Sequence, residues 1–384
     1  MHEHPRTGWG RARLALSMAL PWLALGAGML VPGGLLAVPA DRLGDIKLPP
    51  GFSISIYAEI PGARNFALTP NSRVLLVTDR LRTLYAVVDE NGDYEPDLIH
   101  ALQTGLNAPT GVAYQDGYLY VAEQHRVRRA EFDEKRPTRL LLWKTIKSGL
   151  PDSGHHGTRN IAIGPDHRLY LAIGVPCNIC MPEGNHDAIL SMKLDGSAEM
   201  VFAKGIRNSV GMDFHPLTGE LWFTDNGVDT MGDDLPPDEL NRAPRAGLHF
   251  GYPLFGGGRE RTNEFKDLPL PPNITYPEMD LQAHAASLGI HFYRGSQFPS
   301  EYKHNLFVVQ HGSWNRTVPI GYRIVRVILD AKGNAARQEP FAEGWLRKEG
   351  PWGRPNDVLE MADGSLLVSD DLAGVVYRIT YSAR

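Results

Sequence analysis

Four short stretches of the chain carry basic and amide side chains suited to anion binding and proton transfer. They are DSGHHGTRN, KGIRNSVG, VVQHGSWNR and GRPNDV, which start at residues 152, 204, 308 and 353. Their candidate functional residues are His155, His156, Arg159, Arg207, Asn208, Gln310, His311, Arg316, Arg354 and Asn356. A neutral histidine is the usual general base near neutral pH, and arginine binds carboxylates or phosphates through paired hydrogen bonds. Several arginines around one pit predict an anionic ligand, since unpaired buried cations repel one another.

An acidic stretch, TDNGVDTMGDDLPPDELN, occupies residues 224–241. Its carboxylates are Asp225, Asp229, Asp233, Asp234, Asp238 and Glu239. Hard oxygen ligands among glycine and proline turns are typical of a calcium site, although the spacing is not that of an EF-hand. A solvated acidic loop is the alternative.

The two cysteines, Cys177 and Cys180, are spaced C-x-x-C in VPCNICMP. Four zinc ligands are not available from cysteine, and the flanking residues do not indicate a thioredoxin-type turn. In an oxidising compartment the default is a disulfide that closes a small loop and adds little stability. Two free thiols and a redox role are the alternatives.

The elements that position these residues are predicted by an internal repeat. Turn residues followed by a short run of aliphatic or aromatic residues recur six times, as in TPNSRVLLVTD and YQDGYLYVAE. The equivalent anchor positions are Val77, Val121, Leu171, Phe223, Val308 and Val368. Their spacing is 44–60 residues, apart from 85 between the fourth and fifth copies. Such periods indicate propeller blades of four strands, so we expect an all-β, six-bladed β-propeller with antiparallel blades over residues 41–384.

The functional stretches sit at one position of this repeat. GLNAPTGVAY, HHGTRNIAIG, GIRNSVGMDF and GRPNDVLEM each lead into an apolar run that fits the innermost strand of a blade. The loops that open the inner strands then converge at one mouth of the central channel. Residues 254–300, rich in glycine and proline, are expected to form an insertion between blades four and five. In a purely structural interpretation, the same histidines are solvated and the arginines form ion pairs between blades.

Composition fits a globular protein of short strands and tight turns. Hydrophobic residues make up 42% and charged residues 22% of the 384, with 40 glycines and 29 prolines. The formal charge of −5 is too small and of the wrong sign for nucleic acid as the main partner. No P-loop or dinucleotide fingerprint occurs, which argues against nicotinamide and flavin cofactors.

Residues 1–40 differ from the rest of the chain. A basic start is followed by 27 residues without charge, Leu14 to Ala40, ending in the small-x-small pattern Val38-Pro39-Ala40. A signal peptide cleaved before Asp41 and an uncleaved N-terminal membrane anchor both fit. We therefore expect a periplasmic or secreted domain, with membrane association if the leader is retained.

Taken together and in order, these stretches resemble the soluble glucose/sorbosone dehydrogenase family, nearest to its sorbosone dehydrogenase branch. The likeness covers about residues 46–381 and includes HHGTRNIAIGPDHRLYLAIG, WFTDNGVDTMGDDLPPDELNRA, HFGYP and QHGSWNRTVPIGYRIVRV. Members are quinoproteins that hold pyrroloquinoline quinone (PQQ) and calcium on a six-bladed propeller.

The resemblance implies a role for each matching residue. The family's catalytic histidine stands four residues before an arginine, which selects His155, paired with Arg159, over His156. Arg207 would assist catalysis, Asn208 would contact the cofactor, and Arg354 would hold a PQQ carboxylate. The calcium beside the cofactor would take backbone carbonyls of Gly227 and Val228, and a structural calcium would use Glu239.

The sequence departs from the glucose dehydrogenase pattern at three places. A second family arginine is replaced by Asn356, and a PQQ-binding lysine of blade five by Gln310 and His311. Arg316 is the candidate for the missing charge, and the expected cofactor-binding set is completed by Arg159, Gln310, His311 and Asn356. Val228 takes the place of a proline in the calcium loop.

The resemblance implies that the protein oxidises an aldose or a sorbosone-type sugar. His155 would take the hydroxyl proton, hydride would pass from C1 to PQQ, and calcium would act as a Lewis acid. The electrons would leave for an external acceptor such as a cytochrome or a quinone. A calcium-dependent propeller lactonase is a weaker alternative, because the inner-strand starts carry His, Arg and Asn rather than carboxylates. A propeller that only binds protein or polysaccharide is the second alternative.

Overall fold

The structure, a computed structural model, describes residues 40–152 and 155–383. The predicted leader, apart from Ala40, lies outside these residues, so the cleaved and anchored forms both stay predictions. Within the described residues, no helix has the length and apolar character needed to cross a membrane.

The described chain folds into six four-stranded antiparallel sheets. A short helix, α1 (Ala40–Leu43), and strand β1 (Phe52–Glu59) come first. Blade one contains β2 (Ala63–Leu68), β3 (Val74–Asp79), β4 (Leu84–Val88) and β5 (Leu98–Gln103). Blade two contains β6 (Gly111–Gln115), β7 (Tyr118–Glu123), β8 (Arg126–Glu131) and β9 (Lys144–Lys147). Blade three contains β10 (Ile161–Ile163), β11 (Arg168–Ile173), β12 (Ala188–Lys193) and β13 (Met200–Lys204).

Blades four to six have the same architecture, accompanied by one extra edge strand, two two-stranded ribbons and a 3₁₀ turn. Blade four contains β14 (Met212–Phe214), β15 (Leu221–Asp225), β16 (Asp238–Ala243) and β20 (Met279–Leu281). Before β20, β17 (Leu248–His249) joins the edge of β13, and β18 (Phe255–Gly257) pairs with β19 (Glu260–Arg261). Blade five contains β21 (Ser287–Phe292), a 3₁₀ turn (Ser300–Tyr302), β22 (Leu306–Gln310), β23 (Arg323–Leu329) and β24 (Ala335–Glu343). After the ribbon of β25 (Leu346–Arg347) and β26 (Gly350–Pro351), blade six contains β27 (Pro355–Glu360), β28 (Leu366–Asp370) and β29 (Val375–Tyr381).

These blades confirm the predicted six-bladed propeller. All six anchor residues lie on the second strand of a blade, in β3, β7, β11, β15, β22 and β28. These strands are almost wholly buried, because both of their faces pack against neighbouring blades. The inner strands contact one another in the order β2, β6, β10, β14, β21 and β27, and β27 returns to β2.

The expected insertion over residues 254–300 has the wrong bounds. Strand β21 (Ser287–Phe292), inside that range, is the regular inner strand of blade five. The irregular segment instead lies within blade four, between β16 and its outer strand β20 (Met279–Leu281). The repeat pattern did not predict the inner strand SLGIHF, because no proline- or asparagine-containing loop sequence directly precedes it.

The ring is closed by the two ends of the described chain. Strand β1 pairs antiparallel with β29 and forms the outer strand of blade six. Phe52, on β1, packs edge-on against Phe298 and Phe341 of blade five, with ring centroids 4.7 and 5.1 Å apart. The N-terminal strand therefore links the last blade to its neighbour through apolar contacts as well as hydrogen bonds.

We predict that Phe52→Ala destabilises the ring closure. The lost aromatic packing should lower the free energy of unfolding by about 2–4 kcal/mol, measured by urea denaturation. Ser55→Ala is the matched control on the same strand, because Ser55 is exposed and its loss should change stability little. Equal stability of both variants would show that the Phe52 ring contributes no closure energy.

Candidate active site at the mouth of the central channel

Buried carboxylates at the ends of second strands hold the loops that enter the inner strands. Asp225 accepts hydrogen bonds from the backbone N–H groups of Arg207 and Asn208, at 2.8 and 2.6 Å. In blade six, Asp370 Oδ1 accepts from the backbone N–H of Arg354 at 2.8 Å. The basic residues singled out by sequence are therefore fixed at one end of the channel.

A cavity of about 590 Å³ opens at this end, within the range of small-molecule sites. Its basic and amide lining residues are Arg64, Arg80, Gln124, His156, Asn208, His311 and Arg354. Trp314 also lines it and is 77% exposed at the rim. No Asp or Glu occurs among the described residues that line this cavity. The lining is therefore cationic and suits an anionic ligand.

One carboxylate behind the cavity wall organises its cations. Asp371 bonds Arg64 Nη1 at 2.6 Å, Arg354 Nη2 at 3.0 Å and His311 Nε2 at 3.1 Å. Although burial alone would raise the pKa of Asp371, these three partners together hold it well below its usual range. Asp371 offsets only one of the two arginine charges, so the mouth keeps a positive surplus.

Arg64 and Asp371 were not identified from the sequence. Arg64 stands in GARNFAL at the start of the inner strand of blade one. The same Arg-Asn pair occurs at Arg159-Asn160 and Arg207-Asn208, so the repeat itself contained the signal. Asp371 gave no such signal, because its partners come from blades one, five and six.

The structure brings His156 to the cavity, and not His155. His156 lies in a turn with φ of 49°, and its Nδ1 is 2.8 Å from the carbonyl oxygen of Val175. Burial, followed by the charge of Arg207, lowers the pKa of His156 to about 3, so the ring is neutral at neutral pH. His155 is exposed and is not part of the cavity lining. The role assigned to His155 by family spacing stays a prediction.

Arg159 supports the histidine loop from behind. Its Nη1 donates to the carbonyl oxygens of His156 and Thr158, at 3.0 and 2.9 Å, and its Nη2 donates to that of Pro151. The side chain is buried and does not line the cavity. The predicted cofactor contact of Arg159 therefore has no support in this geometry, because backbone carbonyls occupy the guanidinium.

Arg207 is buried beside the cavity and bound on several sides. Its Nη2 lies 2.8 Å from both Asp229 Oδ2 and Asn178 Oδ1, and its Nε donates to Asn178 O at 3.1 Å. Asn208, the next residue, does reach the cavity, and its Nδ2 donates to Asn226 Oδ1 at 3.2 Å. The structure therefore brings Asn208 into the cavity lining and Arg207 beside it. The sequence did not indicate the partners of Arg207, Asn178 and Asp229.

The three other predicted cofactor residues lie outside the cavity lining. Arg316, the candidate for the missing lysine charge, instead donates to Asp234 Oδ1 at 2.9 Å and to the carbonyl of Asp233. Gln310 accepts from Arg323 Nε at 2.7 Å, and its Nε2 has no partner among the described residues. Both polar atoms of the Asn356 side chain are likewise buried without a partner in the described chain.

The predicted metal residues surround a second, much smaller cavity. Asp225 and Glu239 are paired in register on neighbouring strands, and they line about 10 Å³ of space together with Gly227. Burial is the main cause that raises the pKa of both carboxyl groups, and each is raised further by a neighbouring carboxylate. Val228 is also buried, but its N–H donates to Gly256 O at 2.7 Å and it does not line the cavity.

Two buried carboxylates side by side are suited to a cation. Among the described residues, no three His, Cys, Asp or Glu side chains come together as a complete metal cage. A calcium ion at this place would therefore need backbone oxygens in addition to Asp225 and Glu239, as calcium sites commonly have.

A disulfide joins Cys177 and Cys180. This agrees with the default interpretation of the C-x-x-C spacing and not with two free thiols. The closed loop lies against Arg207 through Asn178, a contact that the sequence did not indicate.

Fold and site together define a six-bladed propeller with a cationic small-molecule cavity at one mouth of its channel. The family model for glucose/sorbosone dehydrogenases matches residues 64–378, and the chain belongs to that family. It is 33% identical over 349 residues to an uncharacterised protein of Borreliella burgdorferi, covering 88% of this chain and 91% of that protein.

Two further relatives come from Coprinopsis cinerea. A pyrroloquinoline quinone-dependent pyranose dehydrogenase is 24% identical over 382 residues, covering 79% of this chain but only 50% of that enzyme. The holo structure of a pyranose dehydrogenase PQQ domain superposes with a TM-score of 0.73 at 22% identity. This superposition covers 87% of this chain and 97% of that domain, and it supports the propeller fold.

We predict that His311 makes stability depend on pH. Burial is the largest influence on His311 and lowers its pKa to about 4, despite the opposing effect of Asp371. An unfolded histidine has a pKa near 6.5, so between these values the unfolded chain binds more protons. The free energy of unfolding should therefore fall by about 3 kcal/mol as pH falls from 6.5 to 4.

The measurement is urea unfolding at several pH values for the wild type and for His311→Gln. Glutamine keeps an N–H donor for Asp371 but does not titrate, so the variant should show a shallower loss of stability over this interval. An identical pH dependence in both proteins would contradict a buried neutral His311.

Proposed function

We propose that this protein is a PQQ-dependent dehydrogenase that oxidises an aldose or a sorbosone-type sugar and passes the electrons to an external cytochrome or quinone. The observation that carries the proposal is the cavity of about 590 Å³, lined by three arginines and two neutral histidines, His156 and His311. Membership of the glucose/sorbosone dehydrogenase family and the likeness to a PQQ-dependent pyranose dehydrogenase support it.

The residues at the mouth fit a tricarboxylate cofactor. Arg354, Arg64 and Arg80 would hold its carboxylates, since guanidinium groups bind carboxylates through paired hydrogen bonds. Asn208 and His311 add polar contacts in the same lining. Arg64 and Arg80 would supply positive charge in place of the PQQ-binding lysine, which is replaced on blade five by Gln310 and His311. When bound, PQQ supplies an ortho-quinone that takes two electrons from the carbon bearing the substrate hydroxyl.

His156 is the general base in this proposal. Its Nδ1 is engaged with the Val175 carbonyl, which leaves Nε2 to accept the proton of the sugar hydroxyl. Its lowered pKa keeps the ring unprotonated at neutral pH and also makes it a weaker base than a free histidine. Arg207, adjacent to this histidine, would favour negative charge that develops on the substrate oxygen.

Calcium is the proposed metal. Glu239 and Asp225 would bind it with carboxylate oxygens, and Gly227 would add its backbone carbonyl. A periplasmic or secreted location, based on the features of residues 1–40, would give the protein access to cytochrome or quinone acceptors. A lactonase is disfavoured, because its carboxylates are missing from the described cavity lining. A purely binding propeller would take up an anion without turnover.

We predict that His156→Gln lowers kcat for sugar oxidation by roughly 10²–10⁴ while PQQ affinity is retained. His155→Gln should lower kcat much less, since His155 is exposed and outside the cavity. His100→Gln, on the outer strand β5, controls for loss of a histidine. A larger loss in His155→Gln would restore the assignment from family spacing, and no loss in either would exclude a histidine base at this loop.

We predict saturable PQQ binding to the apo-protein in the presence of calcium, followed by quinone absorbance and then by dye reduction on a panel of sugars. Arg354→Ala should weaken PQQ binding about 10–100-fold, the equivalent of one charge-assisted hydrogen-bonded pair. Arg337→Ala removes an exposed charge from strand β24 and should leave binding unchanged. EDTA should reduce binding or turnover.

The outcomes separate the candidate functions. Binding with turnover supports the dehydrogenase, and binding without turnover on any sugar supports a binding module. No binding at micromolar PQQ would contradict the proposed cofactor.

A further inference from the structure

Asn178, inside the disulfide loop, directs both its backbone and its side chain at one guanidinium. Its carbonyl oxygen accepts from Arg207 Nε at 3.1 Å, and its Oδ1 accepts from Arg207 Nη2 at 2.8 Å. Oδ1 also accepts from the backbone N–H of Asp229 at 2.8 Å, and Nδ2 donates to Asp229 O at 3.0 Å. Every polar atom of the Asn178 side chain is thus engaged with Arg207 or the Asp229 backbone.

The guanidinium is also held by Asp229. Arg207 Nη2 lies 2.8 Å from Asp229 Oδ2, and Asp229 Oδ1 accepts from Asn315 Nδ2 at 3.0 Å. Asn315 follows Trp314, which lines the mouth cavity. The contacts therefore connect loops of blades three, four and five around one arginine.

The disulfide fixes the loop that carries Asn178. Cys177 and Cys180 are bonded on either side of it, and Tyr252 closes the loop from outside. Tyr252 Oη accepts from the Cys180 N–H at 2.9 Å and donates to the Asn178 carbonyl at 3.3 Å. Ile179 packs in a small apolar cluster with the ring of Tyr252. With its backbone constrained in this way, Asn178 can present two acceptors to Arg207 at once.

The same segment also orients the histidine of the cavity. The N–H of Val175 donates to Arg207 O at 3.0 Å, and the Val175 carbonyl is 2.8 Å from His156 Nδ1. Residues 175–180 therefore contact both His156 and Arg207. The influence of the Arg207 charge on the pKa of His156 agrees with their proximity.

We propose that Asn178 is a positioning residue for the oxidation reaction: clamped by the Cys177–Cys180 disulfide, it holds Arg207 beside His156. This inference rests on the proposed function, in which Arg207 acts next to the general base. The disulfide then serves the geometry of the site, since closing so short a loop adds little stability by itself.

The kinetic test compares substitutions in the loop and directly after it. Asn178→Ala removes the side-chain acceptor and should lower kcat about 10–100-fold with little change in KM, because misplacing a group near the reacting atoms impairs mainly the chemical step. Asn178→Asp keeps the acceptor for Arg207 and should restore part of the loss. Met181→Ala, directly after the loop, is the matched control, since its side chain is 53% exposed and its kcat should stay near the wild-type value.

A second test needs neither cofactor nor turnover. The modification rate of Arg207 by phenylglyoxal is measured in the apo-protein by peptide mass spectrometry. Arg207 is 4% exposed in the folded chain and should react slowly. The rate should rise about tenfold in Asn178→Ala, the equivalent of one lost charge-assisted hydrogen bond, and also in Cys177→Ser/Cys180→Ser. Met181→Ala should react like the wild type.

The two tests fail in different ways. An unchanged modification rate in Asn178→Ala would overturn the positioning role, whatever happens to kcat. Faster modification with kcat unchanged would overturn its contribution to the reaction. If the wild type oxidises no sugar, the proposed function fails, and with it the catalytic part of the inference, while the modification rates still report on the clamp.

Discussion

The buried carboxylates at the ends of second strands are the constraint on which the channel mouth depends. Asp225 and Asp370 lose water on burial, which raises the pKa of Asp225 to about 7 and that of Asp370 to about 6. Each is compensated by backbone N–H groups of the loop that enters the adjacent inner strand. Because an uncompensated buried carboxylate is costly, these loops have one favourable arrangement, and it directs Arg354 and Asn208 to the cavity.

The two ends of the channel differ in the charge of the residues that line them. At the mouth, Asp371 lies behind the wall and leaves arginines facing the cavity. At the opposite end, a cavity of about 310 Å³ is lined by Asp357 and by Asp213, and the latter pairs with Arg294 at 2.8 Å. An anionic ligand would therefore be attracted to the mouth, where cations exceed carboxylates, rather than to the far end.

The sequence was sufficient to predict the propeller fold and to place the candidate site at one mouth of its channel. Strand pairing within a blade is local, so turns and apolar runs repeat visibly, and Val77 and Val308 mark equivalent strands 231 residues apart. It was not sufficient to choose between the two adjacent histidines. Family spacing chose His155, but a left-handed turn at His156 brings the latter to the cavity.

By itself, the sequence determined six blades, a shared mouth, and the clustering of arginine and asparagine at the starts of inner strands. Tertiary structure alone decided which of these side chains enter the cavity. The guanidinium of Arg159 is occupied by backbone carbonyls. Arg64, which the sequence pattern did not single out, lines the cavity and is bonded to Asp371 behind the wall. The physical reason is that a buried guanidinium turns toward the acceptors that surround it. For Arg159 these are carbonyls of its own loop, whereas for Arg64 the acceptor is Asp371, 307 residues away along the chain.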